Sequence, residues 1–456
     1  MTDWSNEKVL VLGLGRSGIS AAEYLAKRKA QVLLSESGEA RESMQSQVDK
    51  LKALGVELEF GGHSERAKDW GKLVVVSPGI APSSEIISEL KAKGKDIICD
   101  VELAFRETKV PFIGITGTNG KSTTTALVSH ILSCAGHKAP ACGNIGVPIL
   151  DELEKQPDYL VTEISSYQLH YCDKLSPFVA VWTNLTPDHI EWHGNLQSYT
   201  EAKQKLFAQQ RSNQYAVLNA DDPIIADFRP ASEIFQFSVN TQLEAAIQCA
   251  FMQYDFLVYR VSGRTQILCN KDDLKIIGKH NLENALAAIS VAGVLNVPIE
   301  KIIEGLKTFP GLEHRLEYVD TINGIKYYND SKGTNPNSTI KALESFGQKL
   351  VLIAGGKDKH TPLDELVASI KQHASDVILL GEAKERFKRA LNDAGFQSVQ
   401  IVQSMEEAVE LASGMNKGPV VLSPACASFD MFKDFEDRGR VFKNLVRSRV
   451  EKLATR

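Results

Sequence analysis

A glycine-rich stretch at residues 112–132, FIGITGTNGKSTTTALVSHIL, combines the residue types that hold phosphate groups. An apolar strand pattern leads into a loop with Gly117 and Gly120, and a helical pattern follows. Backbone N–H groups of such a loop and the N-terminus of its helix can surround phosphates. The ammonium of Lys121 can reach the outer phosphates of a nucleotide. The stretch therefore predicts a phosphate loop.

The hydroxyls that follow this loop suit a divalent cation. Ser122 or Thr123 can offer its oxygen to the Mg²⁺ that accompanies a nucleotide. The spacing departs from G-x-x-x-x-G-K-[ST], because Ile115 stands where the first glycine is expected and Gly114 comes one residue too early. The alternative is a glycine-rich turn at a helix start. The Lys-Ser-Thr run and the strand–loop–helix context favour the phosphate loop.

Two later strand patterns end in residues that could bind a metal. Glu163 ends the run YLVTEIS, and Asp188 and His189 follow FVAVWTNLTPDH. A carboxylate and an imidazole beside a triphosphate can bind Mg²⁺ directly or through water. Alone, Glu163 could be a surface carboxylate and His189 a helix-cap residue, but their placement after successive strands favours a metal site. Lys203, in the helical segment SYTEAKQKLF, has no special role that its spacing could reveal.

A second glycine-rich loop lies near the N-terminus, in KVLVLGLGRSGISAAEYLAKRKAQVLLSES, residues 8–37. Gly13, Gly15 and Gly18 follow an apolar run and open a helical pattern, and Glu36 lies near the end of the next apolar run. Locally this is the dinucleotide fingerprint, in which a helix N-terminus faces a diphosphate. The ligand could be a nicotinamide cofactor or another molecule that carries phosphates.

Short β-branched runs alternate with helical patterns along almost the whole chain, which is typical of parallel sheets covered by helices. Ligands bind outside the carboxyl ends of such strands, so the residues just after each run are the candidates for chemistry. Residues 240–277 alternate in hydropathy instead and predict a small antiparallel patch. The strand patterns are KLVVVSPG, VPFIGITG, DYLVTEIS, FVAVWTNL, YAVLNADD, KLVLIAGG, DVILLGE and GPVVLSPA.

The chain length of 456 residues exceeds one ordinary domain. One boundary is expected near Lys109–Pro111, before the strand that leads into the phosphate loop. A second is expected near Pro310–Glu313, after the helical segment HNLENALAAISVAGVLN. The predicted domains are therefore 1–108, 109–311 and 312–456.

The bulk composition excludes several classes of protein. Hydrophobic residues make up 43% and charged residues 24%, as in ordinary globular proteins. The net charge of −5 gives no reason to expect a nucleic-acid partner. No apolar run approaches the roughly 20 residues that span a bilayer, and the polar start MTDWSNEK is unlike a signal peptide. Seven scattered cysteines predict reduced thiols in a cytoplasmic protein.

Nine short segments, spread over nearly the whole chain, together resemble the Mur ligases, which add amino acids to the peptidoglycan precursor. Any one segment would be weak, but the combination and its order are specific. The last segment and the N-terminal GLGRSG are similar to the branch of the family that adds D-glutamate. The segments are GITGTNGKSTTT, GNIG, TEISSYQL, NLTPDHIEWHG, YTEAK, HNLENALAA, EHRLE, NDSKGTNP and SPACASFDMFKDFEDRG.

The resemblance implies an α/β fold of three domains. A Rossmann-like N-terminal domain would bind a UDP-sugar, a central P-loop-type domain with a parallel sheet would bind ATP, and a Rossmann-like C-terminal domain would bind the amino acid. The implied reaction is an ATP- and Mg²⁺-dependent ligation of D-glutamate to UDP-N-acetylmuramoyl-L-alanine through an acyl-phosphate, with release of ADP and phosphate. We expect such an enzyme to be cytoplasmic and monomeric, without a nucleic-acid partner or membrane insertion.

The chemistry accounts for the residue types. A carboxylate is a poor acyl donor until phosphorylation supplies a leaving group. The step brings anions together, so Mg²⁺ and Lys121 must neutralise charge. By motif match, the catalytic residues are Lys121, Asn144, His189 and Lys203, the last matching the family's carbamylated lysine. The implied Mg²⁺ ligands are Ser122, Glu163, His189 and Lys203.

The same match assigns the binding residues. The nucleotide would contact Gly117, Thr118, Asn119, Gly120, Lys121, Ser122, Thr123, Asn284, Arg315 and Asp330. The UDP-sugar would contact Gly15, Arg16, Ser17, Glu36, Ser77, Gly79 and Asn144, with Glu36 on the uridine side. The amino acid would contact Thr334, Lys359, Ser428, Phe429 and Phe435. An ammonium and two hydroxyls suit the two carboxylates of D-glutamate, and Lys357 is the alternative to Lys359.

Three other interpretations compete. A nicotinamide dehydrogenase would leave everything after Gly114 unexplained. Another ligase of the superfamily could be a folylpolyglutamate synthase or a Mur ligase for L-alanine, a diamino acid or D-Ala-D-Ala. The block Ser423–Gly439 and the lack of a DNPR-type motif disfavour these. A non-catalytic UDP-sugar-binding protein is disfavoured because every expected motif position is filled.

Overall fold

The structure is a computed structural model that describes residues 2–39, 44–240, 243 and 248–454. The chain divides into two compact units. The first comprises Met1–Lys271 and Glu283–Leu306, and the second comprises Asp272–Leu282 and Lys307–Arg456. The first unit carries two β-sheets and the second carries one.

The first sheet has five parallel strands in the order β3-β2-β1-β4-β5. Its central strands are buried along nearly their whole length, which explains why their sequences are continuous apolar runs. The strands are β1 Lys8–Leu12, β2 Gln31–Ser35, β3 Glu57–Glu59, β4 Leu73–Val76 and β5 Asp96–Ile98. The helices are α1 Arg16–Lys27, α2 Gln45–Ala53, α3 Glu65–Asp69, α4 Glu85–Ala92 and α5 Asp100–Glu107.

The second sheet has nine strands in the order β14-β13-β12-β11-β10-β9-β6-β8-β7. All neighbours are parallel except β12–β13 and β13–β14, so residues 249–270 form the expected antiparallel patch at one edge. The strands are β6 Phe112–Thr116, β7 Ala141–Gly143, β8 Leu160–Glu163, β9 Val179–Trp182, β10 Tyr215–Asn219, β11 Glu233–Ser238, β12 Cys249–Gln253, β13 Phe256–Val261 and β14 Arg264–Asn270.

Eight helices accompany this sheet along the chain, and a short 3-10 helix, Lys271–Asp273, follows β14. The segment HNLENALAAISVAGVLN is helical, as its pattern predicts. The helices are α6 Lys121–Cys134, α7 Ile149–Leu153, α8 Ser166–His170, α9 Ile190–His193, α10 Leu196–Ala208, α11 Pro223–Ala226, α12 Lys279–Val294 and α13 Ile299–Thr308.

The third sheet, in the second unit, has the order β15-β16-β20-β17-β18-β19. Only the β15–β16 pair is antiparallel. The strands are β15 Glu317–Ile322, β16 Ile325–Asn329, β17 Leu350–Gly355, β18 Ala374–Leu380, β19 Val399–Ile401 and β20 Val420–Leu422. The helices are α14 Pro336–Glu344, α15 Asp364–His373, α16 Lys384–Asp393, α17 Met405–Met415 and α18 Phe435–Ala454.

The three sheets confirm the predicted α/β class, and all eight strand patterns form strands. The residue boundaries of the three domains stay a prediction. No helix within the described part of the chain combines the length and hydropathy needed to cross a membrane.

Candidate active site

The phosphate loop joins β6 to α6 at the middle of the second sheet. Gly117 has φ +148° and Gly120 has φ +81°, conformations that residues with a side chain rarely adopt. A Cβ at Gly117 would collide with Thr183 Oγ1, and one at Gly120 with Asn284 Oδ1. The two glycines therefore let the loop pass close to the end of β9 and to α12. Asn284, a predicted nucleotide contact, lies directly against this loop.

Two N–H groups of the loop donate to Asn184, and the helix that follows offers its N-terminus. Thr118 N donates to Asn184 O over 3.0 Å, and Asn119 N donates to Asn184 Oδ1 over 2.8 Å. The first N–H groups of an α-helix have no acceptor within the helix, and α6 is 14 residues long. The positive end of this helix can hold an anion. The first turn of this helix begins at Lys121 and continues through Ser122 and Thr123.

Two lysines meet at the start of the loop. Lys121 Nζ donates to Gly117 O over 3.0 Å and to Thr118 O over 2.8 Å. Lys203 Nζ, from α10, donates to the same Gly117 O over 2.8 Å and lies 4.4 Å from the ring centre of Tyr199. Lys203 is 1% exposed. Burial, and then the charge of Lys121, lower the pKa of Lys203 well below its usual value. The charged form of Lys203 is therefore less favourable than that of an exposed lysine.

Glu163 ends β8, the neighbour of β6 in the sheet, and it pairs in register with Ile115. Its side chain is 3% exposed. Oε1 accepts a hydrogen bond from Asn144 Nδ2 over 2.7 Å, and the backbone of Asn144 also donates to Glu163 O over 3.0 Å. Oε2 is buried without a hydrogen-bond partner among the described residues. An unpaired buried carboxylate oxygen fits a bound cation, and oxygen ligands such as Glu163 and Ser122 suit Mg²⁺.

His189 lies beyond β9, the other neighbour of β6. Its backbone is left-handed, with φ +54°, and Asp188 Oδ1 accepts from its N–H over 2.9 Å. Its Nε2 is 3.5 Å from Asp188 Oδ2. Its ring packs on Tyr167 of α8 at 4.9 Å between ring centres. Because Tyr167 follows Glu163 by four residues, the elements that carry His189 and Glu163 adjoin at this ring.

One cavity of about 370 Å³ brings the N-terminal loop to the central sheet. It is bounded by the glycine-rich loop at the start of α1, by the loop after β4, by the GNIG turn after β7 and by the start of α8. The sequence-predicted residues that line it are Gly15, Arg16, Ser17, Ser77, Gly79 and Asn144. Six of the seven residues assigned to the UDP-sugar thus share one cavity, although they come from three segments of the chain.

The seventh, Glu36, is not among the residues that line this cavity. Its Oε2 accepts from Leu14 N over 2.7 Å, and its Oε1 accepts from Gly38 N and Ser37 Oγ, both over 3.1 Å. Partial burial favours the neutral acid, but these hydrogen bonds outweigh it and lower the pKa of Glu36. The carboxylate braces the glycine-rich loop, and its contact with uridine stays a prediction.

In the second unit, the loops after β16, β20 and β17 leave three adjacent strands of the third sheet. Ala425 N donates to Gly333 O over 2.9 Å, and Lys357 N donates to Ala427 O over 2.9 Å, so the three loops are joined. Ser428 is buried, and Phe429 beside it is 72% exposed. This edge carries the residues predicted for the amino acid: Thr334, Lys359, Ser428, Phe429 and Phe435.

The two candidate lysines of the β17 loop differ in their contacts. Lys357 Nζ forms an ion pair with Glu382 Oε2 over 2.6 Å. Lys359 is exposed, and no ion pair of its ammonium occurs among the described residues. The geometry thus leaves Lys359 available to a ligand and engages Lys357.

Arg315 and Asp330, the nucleotide contacts predicted in this unit, lie on adjoining segments. Arg315 stands between His314 and Leu316, both of which have left-handed backbones, with φ +63° and +43°. Asp330 is 8% exposed; its Oδ2 accepts from Ser423 Oγ over 2.7 Å and its Oδ1 from Leu316 N over 3.3 Å. Burial raises the pKa of Asp330 to about 7, although these two hydrogen bonds act in the opposite direction.

Glu313, His314 and Glu317 could together hold a metal ion. However, Lys443 Nζ already donates to Glu313 Oε1 over 2.8 Å and to Glu317 Oε1 over 2.7 Å. Asn329 Nδ2 lies 2.9 Å from His314 Nδ1. The two carboxylates thus share one ammonium, and the cluster braces the segment that carries Arg315.

Several residues in these sites escaped prediction although they lie inside the quoted motifs. Tyr167 and Gln168 of TEISSYQL line the cavity. The ammonium of Lys332, in NDSKGTNP, lies 5.7 Å from the ring centre of Phe435. Arg438, in the last motif, is buried. These residues lie within the quoted motifs, which is the only sign of their role in the sequence. A single sequence does not show which positions of a motif face a ligand.

Comparison with known families covers most of the chain. A model of the MurD-like N-terminal domain of Mur ligases matches residues 7–99. The Mur ligase middle domain matches residues 115–292. The glutamate ligase domain of Mur ligases matches residues 314–426.

Known relatives are similar over nearly their full length. A protein of Pelotomaculum thermopropionicum, named UDP-N-acetylmuramoylalanine--D-glutamate ligase, is 39% identical over 454 residues, which are 98% of this chain and 99% of the relative. A protein of the same name from Clostridioides difficile is 39% identical, over 97% of this chain and 99% of the relative. Among solved structures, MurC from Thermotoga maritima superposes with a TM-score of 0.60 at 19% identity, covering 97% of this chain and 99% of that one. This likeness concerns the fold alone.

Proposed function

The chain belongs to the Mur ligase family, and from this premise we propose that it joins D-glutamate to UDP-N-acetylmuramoyl-L-alanine with cleavage of ATP to ADP and phosphate. The relatives that carry this activity in their names match the chain from end to end. A nicotinamide dehydrogenase would not account for the phosphate loop or for the glutamate ligase domain.

The position of Asn144 is the observation that carries the proposal. Asn144 lines the cavity that the N-terminal loop also borders, and its side-chain amide donates a hydrogen bond to Glu163, on the strand next to the phosphate loop. A UDP-sugar whose diphosphate lies at the N-terminus of α1 would extend through this cavity toward Asn144. Its terminal carboxylate would then meet the γ-phosphate of a nucleotide held at α6. That is the encounter that acyl-phosphate formation requires.

The residues around the phosphate loop supply positive charge for the first step. The carboxylate oxygen attacks the γ-phosphorus, the bond from that phosphorus to the β-phosphate oxygen breaks, and ADP leaves. The N-terminus of α6 and the ammonium of Lys121 stabilise the phosphate charge. Ser122, Glu163 and His189 would hold Mg²⁺, which when bound neutralises charge on the phosphates.

The lowered pKa of Lys203 raises the share of neutral amine, the form that reacts with carbon dioxide. A bond forms between Nζ and the carbon, one C–O π bond opens, one proton is released, and the neutral amine becomes an anionic carbamate. Such an anion next to Lys121 would relieve the repulsion between the two ammonium groups. It would also add a carboxylate-like metal ligand to the site. We therefore assign carbamylation to Lys203 as part of the proposal.

The second step takes place when the amine of D-glutamate attacks the acyl carbon and phosphate leaves. The loops after β16, β17 and β20 would hold the amino acid through Thr334, Lys359 and Ser428. Two hydroxyls and an ammonium match its two carboxylates. The aromatic ring of Phe435 would bound the site beside the Lys332 ammonium. Nucleotide contacts from Arg315 and Asp330 belong to the same proposal.

The proposal includes the setting of the reaction. Both the nucleotide and the UDP-sugar are highly charged. We propose that the enzyme uses them in the cytoplasm and acts as a monomer. Measuring the molar mass in solution, with and without the two substrates, tests the monomer.

An acceptor scan tests the function. Phosphate release would be measured with ATP, Mg²⁺ and UDP-N-acetylmuramoyl-L-alanine while the acceptor is varied among D-glutamate, L-glutamate, L-alanine, a diamino acid and D-Ala-D-Ala. The proposal expects release only with D-glutamate. Equal or greater release with another acceptor would contradict it.

A further inference from the structure

Arg438, in the first turn of α18, is a buried cation of the second unit. It is 2% exposed. Its guanidinium forms no ion pair with a carboxylate among the described residues, although Asp430 and Asp330 act on it from a distance. Burial lowers the pKa of Arg438 to about 10. A buried cation without a contacting anion is costly, so the groups that surround it require an explanation.

Among the described residues, the side-chain hydrogen bonds of Arg438 go to two loops. Nε donates to Ser331 Oγ over 2.9 Å and Nη2 to Ser331 O over 2.8 Å. Nη1 donates to Cys426 O over 3.1 Å and to Ala427 O over 3.3 Å. The guanidinium therefore bridges the loop after β16 and the loop after β20. A planar fork of five donors can hold several carbonyls at once, which an ammonium cannot do in the same geometry.

These loops carry the residues proposed for the amino acid. Ser331 precedes Thr334 by three residues, and Ala427 immediately precedes Ser428. Ser331 Oγ in turn donates to Phe435 O over 2.8 Å. Thr334, Ser428 and Phe435 are thus linked to one guanidinium through short stretches of backbone. Arg438 therefore acts on these three residues through neighbouring groups and not through their own side chains.

The bonds to Cys426 and Ala427 also set the direction of the local dipoles. In a trans peptide group the carbonyl and the N–H point in opposite directions. Because the Ala427 carbonyl points toward the guanidinium, the N–H of Ser428 points away from it. Oriented N–H groups of this kind create positive potential on the opposite side of the loop. A ligand with two carboxylates on that side would provide the counter-charge that the buried guanidinium lacks.

The guanidinium of Arg438 is closely packed against a third loop. Gly356, the first residue of the loop after β17, has φ +142°. A Cβ at this position would collide with Ala427 O and come within 3.1 Å of Arg438 Nη1. The third loop of the sheet edge therefore packs directly on the guanidinium, so displacing the guanidinium would disturb all three loops.

We infer that Arg438 is a positioning residue for the amino-acid acceptor, which fixes the loops 330–334 and 423–428 and adds positive potential for a dicarboxylate. The inference rests on the proposed function, because it takes the acceptor to be D-glutamate. Arg438 acts through the backbone and does not touch the substrate.

Two variants separate the geometry from the charge. Arg438→Lys keeps the positive charge but loses the planar set of guanidinium donors. Arg438→Met loses both the charge and the donors. Arg440→Lys is the matched control, because Arg440 lies two residues further on the same helix and its side chain is 54% exposed. The KM values for D-glutamate, ATP and UDP-N-acetylmuramoyl-L-alanine would be measured for each protein, together with the melting temperature.

We expect Arg438→Lys to raise the KM for D-glutamate about tenfold or more, because several charge-assisted hydrogen bonds to the loops are lost. Arg438→Met should raise it further, since the positive potential is also removed. The KM for ATP should rise less than the KM for D-glutamate in Arg438→Lys, because Asp330 keeps its own hydrogen bonds from Leu316 N and Ser423 Oγ. Arg440→Lys should match the wild type. A purely structural role would lower the melting temperature without changing the ratio of the KM values.

Equal rises in all three KM values would overturn the inference, as would an unchanged KM for D-glutamate. If neither Arg438 variant folds, Arg438 is assigned to stability alone and the inference also fails. Wild-type protein that releases no phosphate in response to D-glutamate would contradict the proposed function itself. That failure appears in the wild type before any variant is compared, so the two failures are distinguishable.

Discussion

Lys121 and Lys203 donate to one and the same oxygen, the backbone carbonyl of Gly117, over 3.0 and 2.8 Å. Two ammonium groups that share an acceptor repel each other, and the one with less access to water loses its proton more readily. Lys203 is the buried member of the pair. This relationship connects the phosphate loop of β6 to helix α10 and makes the reactivity of Lys203 depend on Lys121.

Replacing Lys121 should therefore change the chemistry of Lys203. We expect Lys121→Met to raise the pKa of Lys203, because a neighbouring positive charge is removed. A higher pKa lowers the fraction of neutral amine, so less carbamate should form. Carbon-13 NMR of protein equilibrated with labelled bicarbonate would measure the carbamate. Lys155→Met, at an exposed lysine of the same unit, should leave the signal unchanged. A carbamate signal in Lys121→Met as strong as in the wild type would show that carbamylation of Lys203 does not depend on Lys121.

The unpaired oxygen of Glu163 predicts a metal-dependent phenotype. Glu163→Gln preserves the size of the side chain and an acceptor for Asn144, but removes the negative charge. We expect the Mg²⁺ concentration for half-maximal rate to rise at least about tenfold, as loss of one charged contact typically exceeds 1.4 kcal/mol. A magnesium titration of the initial rate measures this. Glu201→Gln, at an exposed position of α10, is the control. An unchanged titration would remove Glu163 from the metal site.

The different contacts of Lys357 and Lys359 give a matched pair. Lys359→Ala should raise the KM for D-glutamate about tenfold or more and leave the KM for ATP nearly unchanged, since an ammonium–carboxylate contact is lost. Lys357→Ala should have little effect on either value, because that ammonium pairs with Glu382. Steady-state kinetics with each substrate varied in turn measures both. A larger rise of the KM for D-glutamate in Lys357→Ala than in Lys359→Ala would assign the contact with D-glutamate to Lys357.

The raised pKa of Asp330 predicts a pH-dependent stability. Its folded pKa of about 7 lies above its value in the unfolded chain, so the native state binds more protons between these two values. The contribution of Asp330 is present at acidic pH and is lost as pH rises toward 7. Between about pH 5 and about pH 8 the wild type should lose roughly 3 kcal/mol more than Asp330→Asn.

Chemical denaturation at the two pH values measures this difference. Asp330→Asn is the informative variant, because an amide imitates the protonated acid that burial favours. Parallel pH dependence of the wild type and Asp330→Asn would show that the carboxyl group ionises in the folded state much as in water.

The strand ends show why much of the site could be read from the sequence. Gly117, Glu163 and His189 each lie at or beyond the end of an apolar run, and parallel strands bring such positions to one edge. A sequence does not show the order of the strands, but β8 and β9 flank β6, so the three positions lie at the ends of neighbouring strands. Local pattern and sheet geometry thus agree in this part of the molecule.

Other features needed the fold. Asn144 bonds to Glu163 across 19 positions of sequence, and Arg438 bonds to Ser331 across 107. No periodicity links residues so far apart, and a buried arginine has the same sequence appearance as a solvated one. Glu36 matches the acid of a dinucleotide fingerprint, but its carboxylate accepts from the backbone of the glycine-rich loop at Leu14 and of its own loop at Gly38. Such internal uses of polar groups depend on packing and cannot be read from spacing.

Isotope transfer from the carboxylate tests the central claim most directly. UDP-N-acetylmuramoyl-L-alanine labelled with oxygen-18 in its carboxylate would be incubated with ATP, Mg²⁺ and D-glutamate, and the phosphate and the product would be analysed by mass spectrometry. The account predicts one labelled oxygen in each phosphate released, one remaining in the new amide, and no turnover without D-glutamate. Unlabelled phosphate formed together with the amide would contradict an acyl-phosphate, and labelled phosphate formed equally with another amino acid would contradict the assignment of D-glutamate.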